Sequence, residues 1–142
     1  MPPQRDDPFK AFDFLVEIDG IASAAFSEVS GLESETAVIA YRAGGESAVH
    51  KLPGLTKFGN IILRRGVTKD ADLWNWRKSV VDGNIDRRNG SIVLLDDQRN
   101  EVMRWTFRNG WICKWDGPTL NAKANVIAIE TIEIAHEGLE RD

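Results

Sequence analysis

"LPGLTKFGNIILRRG", residues 52–66, allows two readings with opposite consequences for the fold. Gly54 and Gly59 stand at the spacing that opens a phosphate-binding loop, G-x-x-x-x-G-K-[ST]. In such a loop a lysine reaches the phosphates, a Ser/Thr hydroxyl holds magnesium, and a helix follows whose N-terminus faces the anion. Here Asn60 and Ile61 occupy the lysine and hydroxyl positions. In the next residues, "NIILRR", the β-branched Ile61 and Ile62 and the apolar Leu63 suit a strand. The glycines therefore shape a chain entering a strand, and nucleotide chemistry is excluded at this place.

Strand patterning extends on both sides. In "FDFLVEIDG" Phe12, Phe14, Val16 and Ile18 share one face, and Asp13, Glu17 and Asp19 the other. This predicts a half-buried strand closed by an Asp19-Gly20 hairpin turn, with "IASAAFSEVSG" returning. "ESETAVIAYRA" has no clearly polar face, so this strand is covered on both sides or lies in an assembly. Gly44-Gly45 ends it, and residues 44–58 are expected to form a long loop, of the kind that usually carries function. "TKDADLWNWRKSVVDG" gives the one helix, at about residues 69–82. Thr68 is its expected cap, Leu73, Trp76, Val80 and Val81 its apolar stripe, and Gly83 its stop.

Beyond it, "VMRWTFRNGW" turns Met103, Trp105 and Phe107 inward and Arg104, Thr106 and Arg108 outward, with Asn109-Gly110 either a hairpin or a kink. In "ANVIAIETIEIAHEGL" the isoleucines change parity between Ile129 and Ile132, which predicts a β-bulge near Glu130-Thr131. The fold class is thus mainly β: an antiparallel barrel or sandwich flanked by one helix. Residues 1–142 are expected to be one domain, with residues 1–8 a flexible arm.

Composition narrows the function. The chain is 42% hydrophobic and 28% charged with a net charge of −4, which disfavours a dedicated nucleic-acid binder. Its charge is polarised: residues 1–49 are rich in acids, whereas residues 50–69 hold bases and no acid. One cysteine, Cys113, allows neither an internal disulfide nor a multi-thiolate metal site. Set between Trp111 and Trp115, it reads as a small buried hydrophobe. His50 and His136 have no local partner that would mark a base and nucleophile. No catalytic constellation, metal site or cofactor is expected. "MPPQRDDPFKAF" lacks the apolar core of a signal peptide and no run is long enough to span a membrane, so cytoplasmic synthesis without a membrane anchor is expected.

Four stretches in order, "FSEVSGLESE", "LPGLTKFGNIILRRGVT", "LWNWRKSVVDG" and "KWDGPTLNAKANVIAIETIEIAHEGL", resemble the tail-tube proteins of T4-type contractile phages. They are equally similar to the inner-tube proteins of phage-derived contractile injection systems. The resemblance spans roughly residues 9 to 140. It implies a non-enzymatic subunit of hexameric rings stacked inside a sheath, incorporated into a phage tail or tail-like particle. It also implies baseplate or spike and terminator proteins at the ends, and a payload of DNA or protein in the lumen. Six subunits giving four strands each would make a barrel of about 24 strands, closing at a backbone diameter of roughly 50 Å.

The resemblance further implies a loop at about Arg42 to Phe58 that reaches the adjacent ring, with Arg42, Lys51, Lys57 and Phe58 as candidate inter-ring contacts. Pro8, Phe9, Glu137 and Arg141 in the terminal arms are candidate contacts between subunits. The alternatives are a secreted tube protein of the type VI secretion kind and, in another class, a monomeric nucleic-acid-binding β-barrel using the basic 50–69 segment. A small-molecule-binding barrel is a third.

Overall fold

The computed structural model describes residues 8–10 and 13–142. The expected flexible arm lies almost wholly outside the described residues, as does Phe12. Ten strands and one helix follow in order: β1 (Phe14–Ile18), β2 (Ile21–Ala24), β3 (Glu28–Ser30), β4 (Ser34–Tyr41), β5 (His50–Phe58), β6 (Ile61–Gly66), α1 (Asp72–Val81), β7 (Arg88–Leu95), β8 (Glu101–Asp116), β9 (Ile129–Ala135) and β10 (Gly138–Arg141). Among the described residues all strand pairs are antiparallel. The main sheet runs β2-β1-β7-β8-β9-β6-β3, with β10 on β8, and β4-β5 form a separate two-stranded sheet. The mainly β, one-helix architecture is the one expected.

The 16-residue β8 organises the sheet. Along one edge it pairs with β7; along the other it pairs first with β10 and then with β9. Between them, Arg88 faces Gly110 while Gly90 faces Phe107, so β8 carries one extra residue there. Asn109, at φ 53°, takes up that extra residue, a conformation asparagine tolerates better than most. Asn109-Gly110 is therefore a kink inside one strand, and it bends the sheet around the core.

That core gathers Val16, Ile18, Ile61, Leu63, Ile92, Phe107, Ile112, Ile132 and Ile134 with Leu73 and Trp76 of α1. Burying such a side chain contributes roughly 1.5–3 kcal/mol. Trp76 also donates its indole N–H to the Asp86 carbonyl at 2.6 Å. Val80 is half-buried and Val81 is exposed, so the stripe is narrower than the spacing suggested. Thr68 does not cap the helix: its hydroxyl accepts from the Asp70 amide, and Asp70 Oδ1 from the Asp72 amide, in successive short turns. Gly83, at φ 87°, ends it as expected.

Three further expectations are corrected. "IASAAFSEVSG" is split into β2 and β3, which pair with different neighbours. The bulge near Glu130-Thr131 does not exist: β9 pairs with β6 without interruption. Ile127 precedes β9 and is exposed, so the parity change marks where the strand begins. Lastly, residues 50–58 are strand and not loop, which reshapes the candidate site.

Candidate assembly surface

β4 and β5 form a hairpin from Ser34↔Phe58 at its root to Tyr41↔His50 near its tip. Among the described residues neither strand pairs with the main sheet. Every residue of β4 is exposed, and so is every residue of β5 except Gly54 and Phe58. Val38, Ile39, Leu52 and Leu55 nevertheless present apolar side chains to solvent, Leu55 at 87% exposure. An isolated two-stranded hairpin is marginal in water, and apolar strand edges are what folded chains normally cover. Thr36↔Thr56 is followed by Val38↔Pro53, so the Pro53-Gly54 stretch forms a bulge within β5, a place where proline is tolerated.

The root is held firmly. Gly31, at φ 84°, turns the chain so closely over Asn60 that an added Cβ would collide with the Asn60 carbonyl. The Gly59 amide donates to the Glu33 carbonyl at 3.2 Å. His136 bolts this root to the corner between β9 and β10. Its Nε2–H donates to the Gly59 carbonyl at 2.9 Å, and its Nδ1 accepts from the Gly138 amide at 3.3 Å. Its ring lies between Phe58 and Phe107, at centroid distances of 5.9 and 6.0 Å. Nothing in the sequence near His136 signals this role, because Gly59, whose carbonyl it holds, lies 77 residues upstream. At the tip His50 stacks on Tyr41 at 5.3 Å and contacts Glu46 Oε2 at 2.7 Å.

The expected contact residues divide. Arg42, Lys51 and Lys57 are exposed on the hairpin, with no ion pair among the described residues, while Phe58 is half-buried beside His136. Pro8 and Phe9 are exposed, Phe9 at 57%. Glu137 and Arg141 are not in a loose arm. Glu137 accepts from Asn109 Nδ2 at 2.7 Å, and Arg141 faces Trp105 in the β10–β8 ladder. A second uncovered feature, an apolar cleft of about 230 Å³, lies between β3 and the β1-β7-β8 strands, lined by Phe14, Val29, Leu32, Ile92, Leu94 and Trp105.

Among the described residues no group of three or more His, Cys, Asp or Glu side chains is placed to hold a metal ion. Burial, and next the Glu133 carboxylate, push the Cys113 thiol above its usual range, away from the reactive thiolate. Arg104 is committed to Glu101 and Glu17, at 2.7 and 3.0 Å.

A β-rich core with a firmly rooted apolar hairpin left uncovered defines a structural subunit made to be completed by other chains. Residues 10–140 match the family described as T4-like virus tail tube protein gp19, and the chain belongs to that family of tail tube proteins. Among solved structures it is similar to a chain of an extracellular contractile injection system, the PVC sheath-tube complex in its extended state. That likeness has a TM-score of 0.87 at 27% identity, over 96% of this chain and 93% of that one. A chain of the anti-feeding prophage baseplate, six-fold symmetrised, aligns with TM-score 0.88 at 26% identity, over 96% and 97% of the two chains. Hcp1 from Flavobacterium johnsoniae shares the fold alone, with TM-score 0.61 at 17% identity, over 90% and 93%. No curated protein sequence matches the chain.

Proposed function

We propose that the protein is the inner-tube subunit of a contractile injection system of the PVC and anti-feeding-prophage kind. Copies close into six-membered rings that stack into a conduit for a payload. A sheath surrounds the tube, and baseplate and terminator proteins meet its ends; the chain itself performs no catalysis. The observation that carries this reading is the β4–β5 hairpin, whose apolar residues have no cover from the described residues of their own chain. The apolar cleft beside β3 is the complementary vacancy, and the hairpin of one copy seats against the next copy. The likeness to both injection-system chains, at TM-scores of 0.87 and 0.88, favours this over a type VI tube protein, where it falls to 0.61.

Negative-stain microscopy of the purified protein tests it. Six-fold rings or tubes of roughly phage-tail width are expected. A monodisperse monomer at high concentration would overturn the reading, and a mobility shift with oligonucleotide would favour the nucleic-acid-binding barrel.

A further inference from the structure

The face carrying α1 has a different chemistry from the hairpin. Trp74, 51% exposed, meets Trp115 of β8 edge-on with ring centroids 5.2 Å apart. Recesses of about 360 and 630 Å³ open on either side of this pair, and both are lined by Trp74, Trp115 and Gly117. They form one groove with an aromatic ridge at its middle. Val81, 67% exposed, extends the apolar surface of the larger recess.

Arg65 lies at the floor of the smaller recess. Its side chain is 3% exposed, and its guanidinium is held between the Phe26 and Trp115 rings at 5.8 and 5.9 Å. Its Nε donates to Glu130 Oε1 at 2.7 Å, and no other hydrogen bond reaches the guanidinium from the described residues. Among the described residues no buried side-chain polar atom lacks a partner, so the terminal amino groups of Arg65, which borders the recess, are not fully sealed from solvent. A guanidinium has five N–H donors in a fork that fits a carboxylate, and here one is used.

The rim adds charge of the same sign. Lys69 borders the smaller recess, and Arg77 and Lys78 the larger. Among the described residues none of the three has a carboxylate partner. Against them stand Asp70, which already accepts from the Asp72 amide, Asp82, and Glu130, which is paired with Arg65. The charges lining the smaller recess balance, and the larger recess carries one cation in excess, at Arg77 and Lys78. Aromatic anchors beside an under-used arginine are the residue types that concentrate binding energy at interfaces.

We propose that this groove docks a carboxylate-bearing segment of a second, different protein. A side-chain carboxylate of that segment bridges the terminal amino groups of Arg65, and a neighbouring apolar side chain packs on Trp74 and Val81. The proposal rests on the tube reading only for the presence of a second protein around or at the ends of the tube.

The test uses the full chain and a labelled flexible peptide carrying leucines among glutamates, followed by fluorescence anisotropy, with the glutamine counterpart as control. Saturable binding of the glutamate peptide is expected, weakening as salt rises. The glutamine peptide should bind at least about fivefold more weakly. Lys78→Glu should lose about fivefold or more with an unchanged unfolding midpoint. Trp74→Ala should lose as much while still unfolding cooperatively, with a midpoint lowered only by the loss of its ring contact to Trp115. No binding of the glutamate peptide, equal binding of both peptides, or unaltered affinity in both variants overturns the proposal. So does loss of rings in Trp74→Ala, seen by microscopy on the same samples, since that makes the groove a contact between copies. If the parent protein forms no rings, the tube reading fails by itself, and the titration still decides the groove on the monomer.

Discussion

Arg65 and Glu130 are direct cross-strand partners of β6 and β9, and their side chains meet at 2.7 Å where they are 3% and 8% exposed. Two charges so hidden lose most of their hydration, and each is tolerable only because the other is there. Removing one partner from such a pair costs about 3–5 kcal/mol, whereas exchanging both for apolar residues of similar volume is often close to neutral. Glu130→Ala is therefore expected to destabilise the chain by about that amount, and the double change Arg65→Met with Glu130→Leu to recover most of it. Urea unfolding at one fixed protein concentration checks this, since assembly would otherwise add to the apparent stability. A single-variant loss below about 1 kcal/mol would show that the groove hydrates the pair.

Phe107 is fully buried between two glycines. A Cβ on Gly90 would lie 2.5 Å from Phe107 Cζ and 2.7 Å from the Glu17 carbonyl; one on Gly110 would lie 2.6 Å from Phe107 Cε2. The ring cannot yield to both, and the Glu17 carbonyl is backbone. Gly90→Ala should cost about 1–3 kcal/mol, as overpacked cores do. A thermal midpoint equal to the parent's would mean that β1 and β7 can move apart.

Much of this was legible beforehand because its cause is local. Asp19-Gly20 turns β1 into β2, Gly83 stops α1, and the alternation about Phe107 places that ring inward. Apart from the local turn that takes Thr68 from the helix cap, the departures come from pairing between separate stretches of chain. Residues 50–58 contain Pro53 and Gly54 and look like a loop, yet they are held as strand by pairing with β4. Ile127 and Ile129 look like one strand with Ile132, but the ladder with β6 begins only at Ile129. His136 and Arg65 were not identifiable as keystones, since their partners Gly59 and Glu130 lie 77 and 65 residues away. The exposed hairpin was foreshadowed by a strand with no polar face, which is a local signal of a missing neighbour.

Arg104 donates to Glu101 and Glu17 and holds the Glu101 carboxyl below its ordinary range, chiefly through the hydrogen bond. A carboxylate depressed in the folded state adds stability above its unfolded pKa, and that stability is lost as pH falls through the folded value. Glu101 is therefore expected to titrate below a free glutamate in a carbon-detected NMR series, and Arg104→Gln to return it to the ordinary range. The depression should shrink in high salt, because Glu101 is solvent-exposed. An unchanged Glu101 midpoint in Arg104→Gln would remove the arginine as its cause.

Lys57 stands opposite Glu35 in the hairpin ladder, without an ion pair to it among the described residues. In the proposed stacked tube its charge, like that of Lys51, would be open to an adjacent ring. Tube assembly measured by light scattering should weaken from low to high salt if these charges meet acids across the ring junction. Lys57→Glu should leave unfolding within about 0.5 kcal/mol of the parent while impairing stacking. Salt-independent assembly would leave apolar contact as the sole cement between rings.

Leu55 separates folding from assembly most sharply. At 87% exposure its side chain contributes almost nothing to the isolated chain, so Leu55→Asp should change monomer stability by less than about 0.5 kcal/mol. In an assembled tube the same residue would be covered by a neighbour, and a carboxylate placed there would be desolvated without a partner. Rings and tubes should then be lost while circular dichroism and the unfolding midpoint are retained, with light scattering and microscopy reading the loss. Normal tubes from Leu55→Asp would show that the hairpin tolerates solvent in the assembly, and the interface would have to be sought at the cleft formed by Phe14, Leu32 and Trp105.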